Sequence, residues 1–401
     1  MPTSVLDVVE AYRTDLNAAS RSEPFGERDQ TWILFGSILQ RALALPSDAR
    51  EEYLRTALAP IHSTSENAGV NDHNPIFRLV ETVSEDAEDA GAYALALVLL
   101  DLGRALTPLG DAHSHGRLVT RQARVHRKLG EIEMALALYD EVEGLGLEHA
   151  NEELVCRGQL GKGIVARMRG NYPAASEHFR RVLDTGGSGP AIREVKALAH
   201  HGMMIVAGVA KDYDTSLKHG WQAHDGFADL PARQADMLVE ISNVCNLTGQ
   251  FRAALNGYLL VLARPLAPRV RLTAIGGAAW AAANLDMPTV VERLAREGEA
   301  LMDARNDQYE VADLERTLAE AYYWLGNSAR ADGFKARAVD RARAGGYFEI
   351  EYQADALRAP AVASKSPSPS YALSSEAQAV TTRLAGRDSN DLLAAALSRS
   401  D

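Results

Sequence analysis

The sequence predicts an all-α fold built as an array of antiparallel helix hairpins. Three observations predict it. Alanine, the strongest helix former, occurs 66 times in 401 residues. Apolar residues recur at steps of three and four, as in Val5, Leu6, Val9, Tyr12 and Leu16. A short motif of turn residue, polar residue and bulky residue returns six times at near-constant spacing. The one strand-like stretch, Met203 to Val209, sits among helical patterns and reads as helix.

Residues 1–108 lack the repeat. They hold several helices, including Thr31 to Leu45 and Ala87 to Leu106, and form either a bundle of their own or degenerate capping repeats. Asn74-Pro75 has the form of an N-cap with proline at the first helical position, and Ser84 before acidic residues marks another start.

Residues 109–358 carry the array. The motif appears as Gly130-Glu131-Ile132 with Ala135 and Tyr139, as Gly170-Asn171-Tyr172 with Ala175 and Phe179, and as Gly249-Gln250-Phe251 with Ala254 and Tyr258. Weaker copies are Lys211-Asp212-Tyr213 with Ser216, Leu285-Asp286-Met287 with Val290 and Leu294, and Gly326-Asn327-Ser328 with Ala331 and Ala338. The turns at 130, 170, 211, 249, 285 and 326 lie 40, 41, 38, 36 and 41 residues apart. A left-handed turn residue ends helix A, and the small residue five later lets helix B approach it closely. Seven residues before each turn stand Ala123, Gly163, Met204, Ser242, Ala278 and Ala319. All but Met204 are small, as two closely packed helices require.

These columns resemble the tetratricopeptide repeat, a helix-turn-helix unit of about 34 residues. The resemblance covers roughly residues 110 to 345. It implies a right-handed superhelix whose A helices line a concave groove. The large aromatic of early helix A is absent; Val119, Gln159, His200 and Leu238 stand in that column, which points to a divergent member of the superfamily.

Residues 359–375, rich in Pro, Ser and Ala, read as a flexible linker. Residues 376–401 read as a short amphipathic helix with Val380, Leu384, Leu392, Leu393 and Leu397. On such a tether this helix is expected to fold back into the apolar groove and compete with ligand.

Composition narrows the function. A net charge of −12 argues against direct nucleic-acid binding, which needs a basic patch. Cys156 and Cys245 make neither a disulfide framework nor a metal knuckle and read as reduced thiols of a cytoplasmic protein. The N-terminus lacks a leader's basic start and apolar centre. The most apolar window, Ala92 to Leu100, is about half the roughly 20 residues of a membrane helix, so no membrane partner is expected.

Catalytic signatures are missing from the sequence: it has no GxSxG elbow, P-loop, GxGxxG or HExxH. The pairs His113/His115, His200/His201 and His219/His224 are spaced badly for joint chelation on a helix face. The acidic run Glu81, Glu85, Asp86, Glu88, Asp89 reads as a solvated face rather than a cation site. No enzyme, cofactor or metal is expected.

The candidate site is the groove. From the turn register, the first repeat exposes Arg117, Thr120, Arg121, Arg124, Arg127 and Lys128. Five cations on one face repel each other unless anions sit against them. They form either a clamp for carboxylates or a face neutralised by acids such as Glu131, Glu133 and Asp140 or by an acidic neighbouring helix. In the fourth repeat Asp236, Val239, Glu240, Asn243 and Asn246 take these positions. Asn243 falls where peptide-binding members of the family carry an asparagine, whose amide both donates and accepts. The last repeat offers Arg316, Glu320, Tyr323 and Trp324. Ile164, Met168, Ile205, Val209, Ile275 and Ala279 make the middle apolar.

The expectation is a non-enzymatic scaffold that binds a protein or peptide bearing acidic groups and apolar anchors, with homodimerisation left open. The alternative resembles the bacterial peptide-sensing regulators with tetratricopeptide domains, where groove ligand controls how the N-terminal helices engage a partner.

Overall fold

The computed structural model describes residues 80, 81, 84, 85, 87, 88, 93–107, 110–265, 268–302, 308–358, 371–387 and 389–397. The expected helices before residue 80 and the linker at 359–370 lie outside them. Every described element is helical: α1 (Tyr93–Leu106), α2 (Ala112–Lys128), α3 (Ile132–Glu148), α4 (Glu152–Met168), α5 (Tyr172–Leu183), α6 (Pro190–Val209), α7 (Tyr213–Gly226), α8 (Pro231–Leu247), α9 (Phe251–Leu262), α10 (Pro268–Asn284), α11 (Pro288–Met302), α12 (Gln308–Leu325), α13 (Ser328–Gly345), α14 (Phe348–Ala356), α15 (Ser375–Ala385) and α16 (Ser389–Leu397). The chain divides into two compact units, Met1–Val195 and Lys196–Asp401.

The hairpins form where the motif places them. Gly130, Gly170, Gly249 and Gly326 close helix A at φ values of 80°, 73°, 76° and 82°. A glycine takes this left-handed geometry without a Cβ penalty. Lys211 and Asp286 adopt it at 59° and 56° despite their side chains. In the fifth repeat the turn is therefore Asp286, one residue beyond Leu285, and Val291 rather than Val290 takes the small column. Helix B is then capped from the turn. Asn171, Asp212 and Asn327 accept from the backbone N–H three residues on, each at 3.2 Å.

The thin columns are the hairpin joints. Ala135, Ala175, Ser216, Ala254, Val291 and Ala331 are fully buried, as are Ala123, Ser242 and Ala319, and Ala279, which the shifted fifth turn brings into that column in place of Ala278. Met204, the exception, is accommodated locally. Its sulfur would lie 2.8 Å from a Cβ at Gly220, which occupies the place of Tyr139, Phe179 and Tyr258 in other repeats. Large and small have exchanged helices, which conserves the packed volume. Elsewhere the bulky residue needs a glycine on the helix it meets: a Cβ at Gly161 would stand 2.2 Å from the Tyr139 ring, and one at Gly277 2.3 Å from Tyr258.

The C-terminal segment differs from its expected place. It forms two helices, α15 and α16, and both pack on α9, a B helix, with α15 also against α7. It does not occupy the A-helix face. Asn256 of α9, fully buried, donates through Nδ2 to the carbonyls of Leu384 and Arg387, each at 2.9 Å. The segment entering α15 is tied down as well: the Tyr371 N–H donates to Thr248 O at 3.1 Å, and the Ser374 N–H to Asp214 Oδ1 at 2.7 Å. The reason is α9 itself, which is apolar nearly all round and needs cover on its outer side.

Candidate functional site: a cleft across three A helices

In the second unit α8, α10 and α12 lie side by side, and a cleft of about 330 Å³ opens along them. Asn243 and Asn246 come from α8, Gly276, Gly277 and Trp280 from α10, and Asp313, Arg316, Thr317 and Glu320 from α12. The floor follows from the Gly277–Tyr258 packing. With no side chain at Gly277, the Tyr258 ring reaches between α8 and α10. Its hydroxyl donates to Asn243 Oδ1 at 2.5 Å and accepts from Asn246 Nδ2 at 3.3 Å. Asn246 Nδ2 also donates to the Gly277 carbonyl at 3.1 Å. Asn246 Oδ1 is buried and has no hydrogen-bond partner among the described residues.

Carboxylates dominate the charge. Arg316 is held by its own helix: it donates to Asp313 at 2.7 and 2.9 Å, to Glu320 at 3.3 Å and to Thr317 at 3.0 Å. Burial holds the Glu320 carboxyl above the usual carboxylate range, against the pull of Arg316. The same cause raises Glu240, which Asn243 partly offsets by hydrogen bonding, and Asp236, which Arg233 and Arg269 partly offset. Trp280 forms an apolar wall and meets Trp324 edge to face at 5.7 Å between ring centroids.

Of the residues singled out from sequence, Asn243, Asn246, Arg316 and Glu320 converge on this cleft. Trp324 stands behind its wall. Tyr323 does not face it: the ring is buried between α12 and α13, and its hydroxyl donates to Asp332. Trp280, Gly277 and Tyr258 escaped sequence reading as site residues because neighbouring hairpins bring them together.

The basic stripe lies in the first unit, and most of it is neutralised. Arg117 pairs with Glu81 at 2.6 Å, Arg121 with Glu85 at 2.9 Å, and Arg124 and Lys128 with Glu88 at 2.6 and 2.7 Å. The acids read as a solvated run thus belong to the neighbouring helical segment that meets the stripe, and Glu88 is buried beneath it. Glu133 and Asp140 instead serve Arg169 and Lys162. Arg127 differs from the rest. Its Nη1 lies 3.5 Å from Met168 Sδ, and its Nε is buried with no hydrogen-bond partner among the described residues.

Other chemistry is sparse. Among the described residues no group of three or more His, Cys, Asp or Glu is placed to hold a metal ion, and no helix is long and apolar enough to cross a membrane. Both cysteines are buried and unbridged, and burial pushes the Cys245 thiol up to about 12.

No family model and no curated protein matches the sequence. Solved structures do. The apo form of the quorum sensor NprR from B. thuringiensis superposes with a TM-score of 0.54 at 12% identity, over 84% of this chain and 97% of that one. The apo form of RapI gives 0.48 at 12% identity, over 87% and 97%. The likeness to NprR is one of fold, and it accords with a divergent tetratricopeptide-like array of helical hairpins.

Proposed function

We propose that the protein is a non-enzymatic scaffold that binds a peptide or partner segment on the A-helix face of its second unit. The observation that carries this is Asn246. Asn246 lines the cleft; its amide nitrogen is fixed by Gly277 and Tyr258, while its buried Oδ1 has no hydrogen-bond partner among the described residues. A buried acceptor without a donor is costly, and a peptide N–H or side-chain donor would satisfy it. Two buried, unbridged thiols support a reducing, cytoplasmic setting.

The test is retention of immobilised synthetic hexapeptides of random sequence by the full chain. Thr273→Trp, at an exposed position on the cleft rim, plugs the space without disturbing the core. Peptide retained by the parent and lost in T273W supports the reading. No retention by the parent rejects it.

The similarity to a quorum sensor favours a second reading, a ligand-responsive regulator in which the cleft controls how the N-terminal helices engage another protein. It requires retained peptide to change hydrogen exchange in residues 80–107. Unchanged exchange there leaves the scaffold reading alone.

A further inference from the structure

We infer that the cleft of the second unit selects a cationic ligand group, a lysine or arginine side chain of a bound peptide. This rests on the peptide-binding reading above, and it runs opposite to the acidic partner that the basic stripe suggests.

Several donors of the cleft are already engaged: Arg316 donates to Asp313, Glu320 and Thr317, and Asn246 Nδ2 to Gly277 and Tyr258. The Tyr258 hydroxyl is given to Asn243, and that of Thr317 to the Asp313 carbonyl at 2.9 Å. Acceptors remain. Arg316 engages a single oxygen of Asp313 and a single oxygen of Glu320, which leaves the other oxygen of each carboxylate. Asn246 Oδ1 is buried, with no hydrogen-bond partner among the described residues.

The charge count agrees with the hydrogen-bond inventory. Two carboxylates line the cleft against one guanidinium, and Asp236 and Glu240 precede the two asparagines on the same helix. Arg233 and Arg269 partly offset Asp236. An arriving carboxylate meets more carboxylate than guanidinium, whereas an ammonium or guanidinium meets the second oxygens of Asp313 and Glu320 beside the Trp280 ring. Burial of Glu320 with too little cation nearby is the cost such a group relieves.

The experiment sorts the retained hexapeptides by charge, comparing the parent chain with Glu320→Gln and Asp313→Asn. We expect peptides carrying Lys or Arg to be retained about tenfold better than their Glu or Asp counterparts, a difference of one ion-paired contact. That preference should fall by about threefold or more in either variant, while neutral peptides bind as before. Retention without charge preference, or preference for acidic peptides, overturns the cationic assignment and leaves peptide binding standing. Absence of any retention overturns both. The parent-chain selectivity decides the matter even where a variant fails to fold.

Discussion

Ser389 donates from Oγ to Asn256 Oδ1 at 2.6 Å, across 133 positions of sequence, and the acceptor is fully buried. The same asparagine caps the end of α15 through its amide. One side chain therefore joins a B helix of the array to both C-terminal helices, and Arg252 adds a second bond to Ser389 at 3.0 Å. Leu384 and Leu393 complete the cover over α9 with apolar contact.

Asn256→Ala is expected to lower unfolding stability by about 2–3 kcal/mol, because three hydrogen bonds are lost and two carbonyls and a hydroxyl lose their partner. Urea unfolding followed by circular dichroism measures it. Truncation after residue 358 should cost more and leave peptide affinity unchanged, since the segment lies on B helices. Tighter peptide binding by the truncated chain would restore the competing-tail expectation.

Adjacent glycines of α10 should respond oppositely. At Gly277 a Cβ falls within 2.3 Å of the Tyr258 ring, so Gly277→Ala must displace a fully buried aromatic, with an expected loss of about 1–3 kcal/mol. At Gly276 the nearest atoms are 3.4 Å and beyond. Gly276→Ala is expected to be neutral or to gain up to about 1 kcal/mol from helix propensity. Thermal unfolding of both variants checks the pair, and equal effects would refute the packing account.

The double substitution Arg121→Glu and Arg124→Glu should act on stability. It strips buried Glu88 of two cations, leaving Lys128, and sets like charges against Glu81, Glu85 and Glu88. A cost of about 3–5 kcal/mol to the first unit is expected from breaking a buried pair. A chain of unchanged stability that loses binding to an acidic peptide would instead assign the stripe to ligand.

His200 and His219 meet through their Nδ1 atoms at 2.9 Å inside one hairpin. Burial is the main cause lowering both: His219 and Lys196 push His200 further, to about 4, and Lys218 acts on His219 against Gln222 and Asp212. A depressed histidine folds best neutral. The stability it contributes is complete above the unfolded value near 6.5 and is lost as pH falls toward 4. Unfolding midpoints between pH 7 and pH 4 should therefore drop more steeply in the parent than in His219→Gln. Parallel curves would remove the pair from the account.

The register of the array was legible in the chain because close helix contact permits few residue types. Glycine at the turns, alanine in the thin columns and asparagine at the caps are each demanded by backbone geometry over a few residues, so local sequence carries them. The fifth turn slipped by one position because Asp286 pays no visible signature for its left-handed backbone. That same register put the two asparagines, Arg316 and Glu320 on the face where the cleft lies.

Partnership between distant segments was decided only in three dimensions. The basic residues of α2 were plain in the sequence, yet whether they faced ligand or Glu81, Glu85 and Glu88 depended on which helix lay beside them. Tyr323 and Tyr258 are both aromatic residues at helical spacing. One turns into its own hairpin and the other forms a cleft floor because Gly277 leaves room on the next helix. An amphipathic tail announces that it will be buried, but only the exposed side of α9, with Asn256 in it, fixes where. Short-range sterics are written residue by residue, whereas complementarity between surfaces belongs to both partners and appears only once they meet.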